Sequence, residues 1–518
     1  MFTLAPVAAI TWACSPPAEE NPPNSASGGA GGTAMTVGGG AGVGPSSGGM
    51  SSMGGRPGMS GGAPAVGGSG GMPAAGRAAS TGGGAGVLTG GAAGTPSGGA
   101  SGGGGAGGTA SGNCAFTVTP ALSEVIESVG VIEWTVDRSA LTEASIEFGL
   151  DTTYGMTAPV DLAEPSYRTL LLGMKYDHDY HYRIVAKTAT ETCTSGDYTL
   201  KTGLLPNGLP TPTVMTPQPA KLQGGFMITA RWGMGTKGPS FILDKDSDFV
   251  WVLDAKDDVI RTRMSFDGKY MWIRNTAQTN GTGFVRRVKL DGTDEVEFSL
   301  PNTTHDLAVI PDGHLGLIGH ASDGCDEILD FNPADESLVS LFNARDAHGG
   351  SMCHVNYLAY FEGDKSFVFS DFQTSTVVKI TRTGELVWVL NGMGTTITGT
   401  DWAHQHGIHV LSPEKLLVFS NGDNTQESLA LELTLDLSAK TAMETWRYEG
   451  HFETGFGGDI QRLPNGNTLV TYSSSGVIHE VDPDRMLVQE HKWGIGNTVS
   501  YTEKRPTLYG GPPPKIYD

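Results

Sequence analysis

From about residue 204 onward, apolar strands alternate with polar turns in a form that recurs five times. Each copy is an apolar residue, a turn, then an apolar run: SFDGKYMWI (265–273), IPDGHLGLI (310–318), FEGDKSFVF (361–369), LSPEKLLVF (411–419) and LPNGNTLVT (463–471). Aligned on Gly268, Gly313, Asp364, Glu414 and Gly466, the copies step by 45, 51, 50 and 52 residues. A further strand and an Asp/Gly/Thr turn follow, as in VRRVKLDGT (285–293), EILDFNPAD (327–335), VVKITRTGE (377–385) and VIHEVDPDR (477–485). Four strands in a period of about fifty residues predict the blades of a β-propeller. FILDKDSDFVWVL (241–253) reads as part of an earlier, less regular blade, which brings the number to six, and residues 493–509 are available to complete the ring. An open solenoid would satisfy the same period and is the competing architecture.

Residues 114–203 carry a different pattern. Five short alternating runs, VIEWTV (131–136), ASIEFG (144–149), YRTLLL (167–172), YHYRIVAKT (180–188) and DYTLKT (197–202), predict a small β-sandwich. Trp134, the Tyr180-His181-Tyr182-Arg183 strand and the closing Lys201-Thr202-Gly203 resemble a fibronectin type III or related immunoglobulin-like module. The expected fold class is therefore all-β: a six-bladed propeller over residues 204–518, preceded by a sandwich over 114–203.

Composition adds what lies in front. The chain has 518 residues and 76 glycines, and most of the excess falls between 25 and 112. Such a stretch has almost nothing apolar to bury against its ordering entropy, so residues 15–113 read as a disordered tether. Residues 1–14, MFTLAPVAAITWAC, form an apolar run too short to span a bilayer. The run resembles a bacterial lipoprotein signal, with Cys14 as the lipidated residue. That reading implies export and a lipid anchor on a bacterial membrane, at its periplasmic or outer face. With Cys14 set aside, four of the five cysteines remain. Cys114 and Cys193 bracket the small domain, Cys325 and Cys353 lie within one repeat region, and two local disulfides are expected outside the cytoplasm. A formal charge of -22 argues against a nucleic-acid partner, which would need a basic footprint.

The repeat turns alignment into proximity, because equivalent positions of successive blades form a ring about the axis. Eight residues before Gly313 stands His305, and eight before Glu414 stands His406. Ten before Asp364 stands His354, and seven before Gly466 stands Asp459. A lone histidine at a strand start is usually a hydrogen-bonded turn residue. Three at matching positions, in THDL, CHVN and QHGI, point to a shared site at the mouth of the central channel. His404 and His409 match nothing in the other blades and read as local, surface residues.

Imidazoles in a ring can be nucleophiles, acid–base groups or metal ligands. Asp306, Asp459 and Cys353 are near enough in sequence to add ligands for a metal-dependent enzyme such as a lyase or lactonase. Against a metal, the histidines come from separate blades without a local pair, and Asn356 suits an oxyanion better than a transition metal. The order HD, HVN leading to a serine-containing strand, QH before FSNGD, then LPNGNTLV and EVDP resembles the bacterial arylsulfate sulfotransferases over residues 230–510.

That resemblance implies sulfuryl transfer from a phenolic sulfate ester to a phenolic acceptor by a ping-pong route, with no cofactor. His406 would be the nucleophile that forms a transient sulfohistidine. His305 and His354 would stabilise charge on the transferring group and the leaving phenolate, with Asn356 and Gln405 as substrate-binding neighbours. One position departs from the family: Phe372 stands where an arginine would contact the sulfuryl oxygens. Arg345 or Arg382 could supply the missing cation, and Asp371 would oppose it if its carboxylate pointed inward. A surface-binding or adhesion lipoprotein on the same propeller is the alternative that Phe372 favours.

Overall fold

The computed structural model describes residues 114–510, apart from 233–236, 255, 257, 277–281, 351, 423–426 and 495. The signal segment with Cys14 and the tether expected over 15–113 lie outside the described residues.

The sandwich pairs a three-stranded sheet (Phe116–Leu122, Gly130–Val136, Thr169–Leu171) with a five-stranded one built on Glu143–Gly149 and Asp179–Lys187. Alternation is strict along Asp179–Lys187, where Tyr180, Tyr182, Ile184 and Ala186 face the core. Trp134 and the Cys114–Cys193 disulfide lie in the same core. The sandwich leans on the start of the propeller, where Ser128 Oγ donates to Val250 O at 2.8 Å and Tyr509 Oη accepts from Leu172 N at 2.8 Å.

Beyond it, six antiparallel sheets of four or five strands follow in chain order among the described residues. The middle strands read as continuous apolar runs because both of their faces are covered by neighbouring blades. Ser366–Asp371 is buried at every residue, as is Val477–Val481. Blade 2 begins with Asp258–Met264, blade 3 with Thr303–Val309, blade 4 with Val355–Phe361, blade 5 with Gln405–Ser412 and blade 6 with Asp459–Arg462. These first strands line the axis, and Arg261 of blade 2 reaches Asp459 of blade 6.

Both ends of the chain close the ring. Thr498–Val499 and Glu503–Arg505 pair antiparallel with Phe226–Trp232 of blade 1. At the opposite seam Thr213–Met215 adds an outer strand to blade 6 beside Leu487–Lys492. First and last repeats are thus knitted together twice, which a solenoid does not allow. The Cys325–Cys353 disulfide ties the third strand of blade 3 to the approach of blade 4. Cys353 is thereby removed from any metal shell.

Candidate functional site

The ladder of the innermost strands is interrupted at the same place in four blades. Register shifts fall between Val259 and Arg261, Thr304 and Leu307, Val355 and Tyr357, and Gln405 and Ile408. A bulge breaks strict alternation and lets consecutive residues turn toward the axis. Two tiers result. The position seven before the turn residue gives Arg261, Asp306, Tyr357 and Asp459, and the position eight before it gives His305 and His406.

The seven-residue tier is an ionic knot across the channel. Arg261, 1% exposed, donates from Nε and Nη2 to Asp306 at 2.6 and 2.9 Å and from Nη1 to Asp459 at 2.8 Å. Tyr357 Oη donates to Asp459 at 2.9 Å. The rings of Tyr357 and Tyr501 flank the guanidinium at 4.9 and 4.1 Å. Burial works against the charge of Arg261, yet Asp306 and Asp459 hold its pKa well above the ordinary value. Blade 5 contributes only Gly407 at this level, because a Cβ there would lie 2.6 Å from Asp459 Cα. Asp459 therefore does not belong with the histidines, as its alignment suggested. It and Asp306 are consumed by Arg261 and are not open metal ligands.

Above the knot lies the histidine mouth. His354 Nε2 is 3.1 Å from His305 Nε2, so one ring donates to the other. His305 reaches this position with a positive φ of 48° inside its bulge, and its Nδ1 is 2.7 Å from Thr304 Oγ1. His354 is set by Asp371, whose Oδ1 accepts from His354 N at 3.2 Å while Oδ2 lies 3.1 Å from His348 Nε2. The Asp371 carboxylate thus holds the turn together and does not face the mouth.

His406 is 5% exposed, and Asn421 fixes its tautomer. Asn421 Nδ2 donates to Thr454 O at 2.7 Å and Gly457 O at 2.8 Å, which leaves Oδ1 facing His406 Nδ1 at 2.6 Å. Oδ1 can only accept, so Nδ1 carries the proton and Nε2 keeps its lone pair. Gly457 N donates to that Nε2 at 3.2 Å. Burial pushes the His406 pKa down to about 3, and burial likewise lowers His305 and His354. At neutral pH His305, His354 and His406 are uncharged imidazoles.

Phe372 is in the middle of them. Its ring stacks on His404 at 4.5 Å and meets His406 at 5.4 Å and His354 at 5.5 Å. His404, expected to be a bystander, is therefore part of the mouth. His409 is not a surface residue either: it is buried on the far side of the knot, where its Nδ1 accepts from Arg462 N at 2.8 Å. A cavity lined by Arg263, Met264, Val309, Glu362 and Arg505 opens at that opposite end of the channel. This cavity and the histidine mouth are thus on opposite sides of Arg261.

The two remaining expected contacts are framework. Gln405 Nε2 donates to Ser370 Oγ, Asp371 O and Thr376 O at 2.8–2.9 Å, and its Oε1 accepts from Trp402 Nε1 at 2.9 Å. Its N–H donors are all committed and the side chain is fully buried, away from substrate. Asn356, 0% exposed, donates to Gln405 O at 3.0 Å and braces the His406 strand from behind. Arg345 is held by Asp323 at 3.2 Å and Arg382 by Asp330 at 2.8 Å, so neither replaces the cation missing at Phe372. Asn421 was legible only as a letter of FSNGD. Its role depends on Thr454 and Gly457, which no local pattern links to it.

A six-bladed propeller with a neutral, hydrogen-bond-oriented imidazole at one mouth defines the class. Residues 326–494 match the family model described as Arylsulfotransferase (ASST), and this part of the propeller is arylsulfotransferase-like. The matched stretch contains His354, His406 and Asn421, and it supports an arylsulfotransferase-type function in general. No curated protein matches the chain. Among solved structures it is similar to TolB from Acinetobacter baumannii, at 12% identity over 64% of this chain and 80% of that one with a TM-score of 0.41. It is also similar to the β-propeller domain of Myceliophteria thermophila Cps50 (Swd1), at 12% identity over 55% and 87% of the two chains with a TM-score of 0.36.

Proposed function

We propose that the histidine mouth transfers a sulfuryl group from a phenolic sulfate ester to a phenolic acceptor, with His406 Nε2 as nucleophile. The observation that carries this reading is the Asn421 clamp, which leaves the lone pair on Nε2 and supplies an acceptor for Nδ1–H. In the first half-reaction Nε2 bonds to sulfur, the S–O bond to the aryl group breaks, and the phenolate leaves with the electron pair. The sulfated imidazole becomes cationic, and its charge strengthens the Nδ1–H···Asn421 bond. In the second half-reaction the acceptor oxygen bonds to sulfur, the N–S bond breaks and neutral His406 returns, while the acceptor proton passes to solvent or to the departed phenolate. The Nε2–H that His305 and His354 share turns from the partner ring to the oxygen on which negative charge builds. Before attack, Nε2 must give up Gly457 N, a cost of about 1 kcal/mol.

Incubation with 4-nitrophenyl sulfate and a phenol tests this. Acceptor-dependent nitrophenol release is expected, with its loss in His406→Ala. Equal release by that variant would refute the nucleophile assignment. A binding lipoprotein without turnover is the second reading, favoured by the Phe372 ring standing among three imidazoles. In that case the wild type would bind aryl sulfates without release. Lipid anchoring at Cys14 and placement on a bacterial membrane are part of the proposal and rest on residues 1–14 alone.

A further inference from the structure

Arg274 lies on the second strand of blade 2, directly across the ladder from Arg261. It is 0% exposed. Nη1 donates to Phe284 O at 3.3 Å, whereas Nε and Nη2 have no hydrogen-bond partner among the described residues. A buried guanidinium left this bare is costly, and such groups are normally paired with an anion. Burial lowers its pKa to about 10, so it is still a cation at neutral pH.

Its surroundings place it on the His305 side of the mouth. A Cβ on Gly283 would overlap Nη1 and Nη2 of Arg274 and also stand 2.7 Å from Thr303 O. The guanidinium and the Thr303 carbonyl therefore both pack against Gly283, where any side chain would displace the guanidinium. Thr303 begins the strand that carries His305 two residues later. The charge of Arg274 reaches far enough to oppose protonation of both His305 and His320.

We propose that Arg274 is the oxyanion-holding cation of this mouth, taking the sulfonate oxygens of an aryl sulfate at the Nε and Nη2 positions that have no partner among the described residues. This rests on the sulfuryl-transfer reading above, and it supplies from blade 2 the guanidinium that Phe372 does not supply from blade 4. The bond released on turning toward the anion, to Phe284 O, is a long one. The mode is that of a paired N–H fork on a tetrahedral oxyanion, for which arginine is suited by shape.

The test compares the full chain with Arg274→Met and Arg274→Lys, using sodium sulfate and 4-nitrophenyl sulfate as probes. Sulfate should raise the melting temperature of the wild type above that in sodium chloride of equal ionic strength. Arg274→Met should abolish that difference, hold or raise the melting temperature without sulfate, and lower kcat/KM by about a hundred-fold. Arg274→Lys should recover part of the sulfate response. An Arg274→Met protein that keeps both its sulfate response and its turnover would overturn the proposal. So would one that is destabilised while kcat/KM is unchanged, since that marks a structural arginine. If Arg274→Met fails to fold, full sulfate response and turnover in Arg274→Lys would count against a bidentate role. His406→Ala separates the two ideas: a sulfate response with no turnover keeps both, and retained turnover refutes the nucleophile while leaving an Arg274-dependent sulfate response intact.

Discussion

Arg261 and Arg274 are neighbours across one ladder of blade 2, both fully buried, in opposite electrostatic circumstances. Arg261 meets two carboxylates and two tyrosine faces, and its pKa is pushed up. Among the described residues Arg274 has one long bond to a carbonyl, and burial pushes its pKa down. Burial alone therefore does not tell a structural cation from a functional one. The first closes its own hydrogen-bond ledger and locks the inner strands of blades 2, 3 and 6 together. The second, among the described residues, leaves donors open at the edge of a histidine mouth, and open donors in a dry place are what an incoming oxyanion requires.

The largest effect should come from breaking the satisfied side. Arg261→Met strands Asp306 and Asp459 in the channel and is expected to cost about 3–5 kcal/mol by denaturant unfolding. Arg274→Met should cost far less, and equal losses would erase the distinction. Within the mouth, Asn421→Ala removes the acceptor for Nδ1–H without touching either arginine. The bond is charge-assisted only once His406 is sulfated, so kcat/KM should fall about ten- to a hundred-fold, together with a stability loss of about 1–3 kcal/mol as the Thr454 and Gly457 carbonyls lose their donor. A drop in melting temperature with normal turnover would make Asn421 a loop fastener only.

The most gradual effect concerns pH. Burial holds His406, His409 and His491 at about 3, against an ordinary 6.5. As pH falls from about 6.5 toward 3, the unfolded chain takes up protons that the folded chain refuses. Stability should then fall by up to about 1.4 kcal/mol per pH unit for each of these groups. It should be flat for them above about pH 7. Stability that rises on acidification through this window would mean that the imidazoles gain charge in the fold.

Much of the fold was legible because the turn residues repeat: Gly268, Gly313, Asp364, Glu414 and Gly466 mark real blades, and residues 493–509 do contain the closing strands. The site was legible only to within a residue. Side chains alternate with period two, so one step of register changes the face a residue serves. Here the bulges put His305 beside Asp306 and His406 beside Gly407, with each neighbour serving a different tier. Asp459, counted with the histidines at an offset of seven instead of eight, went to the wrong tier for that reason. His404 and Phe372 come together by stacking between blades 4 and 5, and the charge of Arg274 acts on His305 from a second strand. Neither relation leaves a mark in a repeat alignment of first strands.

The most direct test of the central claim is to find the sulfuryl group itself. Wild-type protein mixed with excess 4-nitrophenyl sulfate in the absence of acceptor, quenched in alkali and digested, should yield a sulfuryl adduct on the peptide containing His406. Adding a phenol should discharge that adduct. An adduct on another residue, or steady nitrophenol release with His406 unmodified at every time point, would contradict the account.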